Sequence, residues 1–248
     1  MWRSIKELEP ELKVDRSSNN WRVGPRYYRS SPDHIVKPGV VNMSPAWFEQ
    51  GHDVCSKKMR SKCSLILLQT EKFPLKVSRP LVQSNGPASR WLSLMVESSA
   101  LIGGILSIVH PKLYQAGKEA IIYLDEHPQT ADRPARLQQL LHIWSAPFHG
   151  LSVISNRVTP VHRDSKGGKA WMDILVALGG YKEGFLDLPG VGIRFDYSPG
   201  TVVAISGRVI AHSAKCDGDR ACIAYYMRQK VQARLGLSQP DWFQPILP

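Results

Sequence analysis

His162 and Asp164 stand two residues apart in the segment Val158-Thr159-Pro160-Val161-His162-Arg163-Asp164. On a strand, residues i and i+2 point to the same face, so an imidazole and a carboxylate placed there aim together at one point. A second histidine, His212, follows about fifty residues later, after an apolar segment and a turn over Thr201–Gly207. Two imidazoles and one carboxylate can hold a divalent metal on one face. They leave up to three of six positions open, which is the ligand set of non-haem iron(II) oxygen chemistry. His-x-Asp alone is common, and a core or surface histidine is its ordinary reading. The weight comes from the ordered pieces downstream: Pro199-Gly200, an apolar strand, His212, and then Arg220 opening the last strand. Arginine suits a carboxylate ligand because its planar fork meets both oxygens at once. Arg228, at the far end of that strand, is the fallback for the same task.

These residues need a scaffold of short strands, and the sequence from Gly150 onward has that texture. Leu151–Ser155, Ile174–Leu178, Phe185–Leu188, Gly192–Phe195, Thr201–Ile205 and Ala221–Met227 read as strands. Pro189-Gly190, Ser198-Pro199-Gly200 and Asp217-Gly218-Asp219 supply turns between them. Many short strands with regular turns imply a sandwich or barrel, of which the jelly roll is one solution. Residues 90–145 have helical spacing instead: Trp91, Leu94, Met95, Leu101, Ile105 and Ile108 recur at intervals near 3.6. Gly103-Gly104 weakens that helix locally. Pro111 can begin another helix, and Asp132 can cap a third with Pro134 in its first turn, running to Trp144 before Pro147. These helices are expected to buttress a sheet. Residues 1–90 read as a basic, irregular extension, with residues 91–248 as the main domain. In the extension, Trp21, Tyr27, Tyr28, Trp47 and Phe48 are interleaved with Arg22, Arg26, Arg29 and Lys37. That texture fits either an arm packed on the core or contact with nucleic-acid phosphates and bases. Lys57–Lys62 is a basic cluster, either a solvated loop or a phosphate patch, and Ser64–Gln69 looks like a buried strand.

The 248 residues carry a formal net charge of +11, of which the first 90 residues hold +8. Such an excess favours polyanions without identifying them. The longest apolar stretch, Ala100–Val109, is about half the roughly 20 residues a membrane-spanning helix needs. No membrane partner is therefore expected. The four cysteines lack CxxC spacing and are expected to be reduced thiols of an intracellular protein.

Residues from about 148 to 231 resemble the TET/JBP branch of iron(II)/2-oxoglutarate dioxygenases, and within it the fungal TET-like enzymes. The resemblance is carried by Ser152-Val153-Ile154-Ser155-Asn156-Arg157, Pro160-Val161-His162-Arg163-Asp164 and Trp171-Met172-Asp173-Ile174-Leu175. It continues through Ser198-Pro199-Gly200-Thr201-Val202-Val203 and His212 followed by Arg220. It implies an α+β protein with a double-stranded β-helix (jelly roll) core buttressed by helices. It also implies that His162, Asp164 and His212 bind Fe(II) and form the catalytic set, and that Arg220 binds 2-oxoglutarate, with O2 as oxidant. Arg157 is a further candidate for the co-substrate, and Asn156 and Asp173 are candidates for the target base, with Lys166 as another substrate contact. Two departures stand out. Animal TET proteins carry Asn three residues after the metal Asp, where this chain has Gly167, and their cysteine-rich zinc module is missing here.

The activity implied is oxidation of 5-methylcytosine in DNA to 5-hydroxymethylcytosine, with formyl and carboxyl products in further rounds. The partner would be double-stranded DNA with the methylated base flipped out, because a methyl inside a duplex cannot reach a buried metal. The protein is expected to be a nuclear monomer. An AlkB-like demethylase of N6-methyladenine or another N-methyl base would use the same metal site and differ in releasing formaldehyde. A protein or small-molecule hydroxylase is a third enzyme reading, and a non-catalytic DNA-binding β-sandwich is the alternative from another class.

Overall fold

The computed structural model describes residues 1–48 and 74–243. The basic cluster Lys57–Lys62, the strand expected at Ser64–Gln69, and Cys55 and Cys63 lie outside the described residues. Along the chain come β1 (Gly39–Met43), α1 (Pro87–Leu94), α2 (Val96–Val109), α3 (Pro111–Glu126), α4 (Pro134–Leu141), β2 (Gly150–Ser155) and β3 (Thr159–His162). There follow β4 (Asp173–Gly179), β5 (Gly184–Leu188), β6 (Ile193–Asp196), β7 (Val202–Ile205), β8 (His212–Cys216), β9 (Arg220–Tyr226) and α5 (Gln229–Arg234).

Three of the four consecutive helices begin on proline, where the missing N–H is one of the helix's unpaired donors anyway. Gly103 does not break its helix, because a Cβ there would lie 2.8 Å from Pro147 Cδ. The glycine lets the segment before β2 nest against the helix, and that close approach offsets the cost of a mid-helix glycine. The expected cap at Asp132 is not formed. Its carboxylate accepts instead from the Val77 N–H at 3.2 Å, and Arg133 takes the cap position without a side-chain bond. His110 caps the helix that begins at Pro111, its Nδ1 accepting from the Leu113 N–H at 3.2 Å.

The strands form two antiparallel sheets, in the orders β1-β2-β9-β4-β7 and β3-β8-β5-β6. They pack face to face as a double-stranded β-helix, open rather than closed into a barrel. The period-2 alternation divides the larger sheet between two environments. Leu151, Val153, Ile174, Val176, Ala221, Ile223 and Tyr225 face the helices in one large apolar core with Trp91, Leu106 and Leu113. Ala177, Leu175, Val203 and Ile205 meet Leu186, Leu188 and Ala214 of the smaller sheet in a second, smaller core. The expected irregular extension contributes more than loops. It supplies edge strand β1 and buries Ile5, Leu8, Leu12, Val36 and Val41 in the large core. Among the described residues no single helix is long and apolar enough to cross a membrane.

Candidate metal centre

The smaller sheet brings the two histidines together by register: His162 on β3 lies directly opposite His212 on β8. Their ring centroids are 4.2 Å apart. Asp164, two residues beyond the end of β3, is fixed by its own N–H, which donates to the Gly207 carbonyl at 2.8 Å. One ligand atom from each of His162, Asp164 and His212 lies within 4.8 Å of the others, the span one metal ion would bridge. Each histidine Nε2 is 3.7 Å from an Asp164 oxygen, His162 from Oδ1 and His212 from Oδ2.

The other ring nitrogens are committed. His162 Nδ1 is 2.9 Å from the Pro160 carbonyl and His212 Nδ1 is 3.0 Å from the Ile210 carbonyl. A carbonyl can only accept, so both Nδ1 atoms carry the proton and both Nε2 lone pairs face the centre. Burial, then the neighbouring His212, lowers the His162 pKa to about 4, which keeps the ring neutral and able to ligate. Gly207 forms the floor. A Cβ there would come 3.0 Å from Asp164 Oδ2, 3.2 Å from Asp173 Oδ2 and 3.4 Å from the His212 ring. Three neutral or anionic donors converging with no side chain beneath them fit a divalent ion.

Arg157 and Arg220 are both buried, and the Nε of each has no hydrogen-bond partner. Among the described residues neither forms an ion pair with a carboxylate. Arg220 lies over the Tyr197 ring with its guanidinium carbon 5.1 Å from the centroid. Arg157 lies 4.8 Å from the Trp21 ring, which in turn is 4.3 Å from the His162 ring. Burial pulls the Arg157 guanidinium below its ordinary pKa, the mark of a desolvated cation. Burial also opposes the Arg220 charge, but Cys222 and the tyrosines around it outweigh that and hold its pKa above the ordinary value. Two buried cations without anions are costly unless a ligand supplies the charge. A dicarboxylate fits that need.

The remaining candidates separate. Asn156 is not free to read a base. Its amide nitrogen donates to the Val36 carbonyl at 2.7 Å and to Asp219 Oδ1 at 2.9 Å, and its oxygen accepts from the Arg220 N–H at 2.8 Å. With φ at 52°, a conformation asparagine tolerates better than most residues, it ties the end of β2 to the start of β9. Its part is to seat Arg220. Arg228 lies over the Tyr226 ring at 4.1 Å, and its backbone N–H donates to His149 at 2.9 Å. Asp173, half-buried at the start of β4, has its pKa raised to about 7, first by burial and then by Asp164, with Arg228 opposing. Lys166 is exposed on the loop after Asp164. Two site residues were not assigned to the metal centre from sequence. Arg22 Nη2 donates to Asp164 Oδ1 at 2.9 Å, and Trp21 covers the His162 ring. No local signal distinguishes this Trp-Arg pair from the other aromatics and cations of the extension.

A jelly roll with two opposed histidines and an aspartate, and with buried Arg157 linked to His162 through Trp21, has the make-up of a non-haem metal oxygenase. Residues 70–229 match the family model Tet_JBP, the oxygenase domain of the 2OGFeDO superfamily, and the chain belongs to that family. The superfamily implies iron(II), 2-oxoglutarate and dioxygen. No curated protein matches the chain in sequence. Among solved structures, the chain is similar to NgTET1 in complex with 5mC DNA, at 19% identity and a TM-score of 0.45, over 64% of this chain and 57% of that one. It thus spans a little over half the length of that relative. It is also similar to hydroxypropylphosphonic acid epoxidase from S. wedmorenis, at 13% identity and a TM-score of 0.25, over 32% and 42%. A third is a cupin 2 conserved barrel domain protein from Salinispora arenicola, at 18% identity and a TM-score of 0.24, over 35% and 69%.

Proposed function

We propose that this oxygenase oxidises the methyl group of 5-methylcytosine in DNA, giving 5-hydroxymethylcytosine and, on further turnover, formyl and carboxyl products. The observation that carries the reading is the convergence of His162, Asp164 and His212 between the two sheets of a jelly roll whose inter-sheet face also carries Arg157 and Arg220, buried arginines that have no carboxylate of their own among the described residues. His162 Nε2, Asp164 and His212 Nε2 would hold iron(II), and Arg220 would grip the far carboxylate of 2-oxoglutarate, with Arg157 adding positive charge. When bound, iron and 2-oxoglutarate supply the power to oxidise a C–H bond with dioxygen; the chain's own residues decide which carbon is presented.

The Nδ1 bonds to Pro160 and Ile210 hold both rings in the ligating tautomer. Asn156 aligns Arg220, and the cover provided by Trp21 limits water at the His162 face. Asp173 and Lys166 would contact the nucleotide, Asp173 at the base and Lys166 at the backbone. The DNA substrate is supported by the resemblance of the motif segments to TET-like enzymes and by the net charge of +11, which favours phosphate binding. A base paired in a duplex would have to flip out to reach the metal. Nuclear location and a monomeric state belong to the same proposal.

The test is an assay with anaerobically loaded iron(II), 2-oxoglutarate and then oxygen, on matched duplexes carrying 5-methylcytosine or N6-methyladenine, read by nucleoside mass spectrometry. Loss of 5-methylcytosine with gain of its oxidised products, absent in Asp164→Ala, is the expected result. Loss of N6-methyladenine alone, with formaldehyde released, would replace the proposal by an N-demethylase. Turnover of neither base by an iron-loaded protein would remove DNA methyl oxidation as the activity.

A further inference from the structure

Residues 20–29 form a strap across the metal strand, outside the stretch matched by the family model. The Tyr27 carbonyl accepts from the Val158 N–H at 2.8 Å and the Arg29 N–H donates to the Asn156 carbonyl at 2.8 Å, so the strap is tied to both ends of the segment leading into β3. Within it, the Arg22 carbonyl accepts from Tyr28 Oη at 2.6 Å and from Arg157 Nη1 at 3.1 Å. The Trp21 ring lies 4.3 Å from His162, and the guanidinium carbons of Arg22 and Arg157 lie 4.2 and 4.8 Å from its centroid. The strap is therefore anchored by its backbone, and its two functional side chains reach different metal-site residues.

We propose that Arg22 is a positioning residue for the metal ligand Asp164. Its Nη2 holds Oδ1 at 2.9 Å; Oδ1 lies 3.7 Å from His162 Nε2, and Oδ2, which no cation among the described residues holds, lies 3.7 Å from His212 Nε2 and above Gly207. A carboxylate held at one oxygen by Arg22 would be hindered from turning, and would keep its other oxygen available as the ligand atom when a metal is bound. Trp21 fixes Arg22 from beneath by stacking, and Arg157, through the Arg22 carbonyl, fixes the backbone from which Arg22 extends. The pair is too exposed to hold the fold together, with side-chain exposures of 43% for Arg22 and 35% for Asp164. Ion pairs of that kind contribute about 0–1 kcal/mol. Outer partners of ligating carboxylates, by contrast, typically change metal affinity or activity by about 10–100-fold. The magnitudes place the effect of Arg22 in ligand orientation. The inference rests on the proposed ligand set, and it needs no DNA substrate.

The test is a titration of the full chain with cobalt(II), followed by its visible absorption, for wild type, Arg22→Gln, Arg22→Lys and Asp164→Ala, with thermal unfolding of each metal-free protein as a check on folding. The account expects Arg22→Gln to weaken cobalt binding about tenfold with an altered absorption envelope. Arg22→Lys should recover part of the affinity, and neither Arg22 variant should unfold earlier by more than a few degrees. Unchanged affinity and spectrum in Arg22→Gln would overturn the proposal. So would tighter binding, which would mean that the guanidinium merely competes with the metal for Asp164. If wild type bound no cobalt at the site, or Asp164→Ala bound it equally well, the failure would lie with the ligand set rather than with Arg22.

Discussion

The two faces of the five-stranded sheet are built from the same strands and do opposite work. On the helix side, Val153, Ile174, Ile223 and Tyr225 join a large apolar core in which single side chains are fully enclosed. On the side facing the smaller sheet, the apolar cluster is small. The strand ends beyond it carry Asp173 on β4 and Arg220 on β9. Alternation of side chains puts stability on one face and chemistry on the other. The difference teaches where this protein tolerates cost: the buried cations and the Asp173 carboxylate sit where apolar residues would stabilise more.

Substitutions on the two faces should separate stability from binding. Ile223→Ala removes an enclosed side chain from the helix-side core and should lower unfolding free energy by about 2–5 kcal/mol, measured by urea denaturation, while cobalt affinity stays unchanged. Weakened metal binding at full occupancy of the folded state would show that the faces are coupled.

The seam between β2 and the C-terminal helix gives a pH signature. Burial lowers the pKa of His149 from 6.5 to about 4. Between these values the unfolded chain binds the proton and the folded chain does not, so stability is full above pH 6.5 and falls as the pH drops toward 4. At roughly 1.4 kcal/mol per pH unit, the loss approaches about 3 kcal/mol. Denaturation curves at pH 7 and pH 4.5 should show a loss of that size from His149, with His162, also lowered to about 4, adding to it in the same direction; His149→Gln should make the slope shallower. An unchanged slope in the variant would assign the loss to other groups.

On the inter-sheet face, Arg220→Met should weaken 2-oxoglutarate binding on the order of 100-fold, since a paired, charged contact contributes about 1.5–3 kcal/mol per bond. It should leave metal-free thermal stability unchanged or higher, because it removes an unpaired buried charge. Calorimetry with manganese(II) present measures the first and thermal unfolding the second. A large drop in stability would make Arg220 a structural residue. The smallest effect is expected at the floor of the site. Gly207→Ala puts a methyl 3.0 Å from Asp164 Oδ2, and cobalt affinity should fall about tenfold with little change in unfolding.

The strands from Gly150 onward are legible because turns and alternation recur there, and the candidate metal triad is legible because two of its members are i and i+2. The register that sets His162 opposite His212 is not, since β8, His212–Cys216, has no apolar run to mark it. Strand β1 was hidden in a stretch dominated by basic and proline residues; its pairing with β2 across about 110 residues creates it. From sequence Asn156 reads as a contact for the target base, because its φ and its bonds to Val36, Asp219 and Arg220 are set only by the tertiary fold. Arg22 is separated from Asp164 by 142 positions, and its pattern resembles that of any exposed arginine beside an aromatic.

The most direct test of the central claim is the visible charge-transfer absorption that forms when 2-oxoglutarate binds iron(II), recorded anaerobically for wild type and Asp164→Ala. The account predicts the band in wild type and its loss in the variant. A band that persists without Asp164, or never forms in folded wild type given both iron and 2-oxoglutarate, would contradict it.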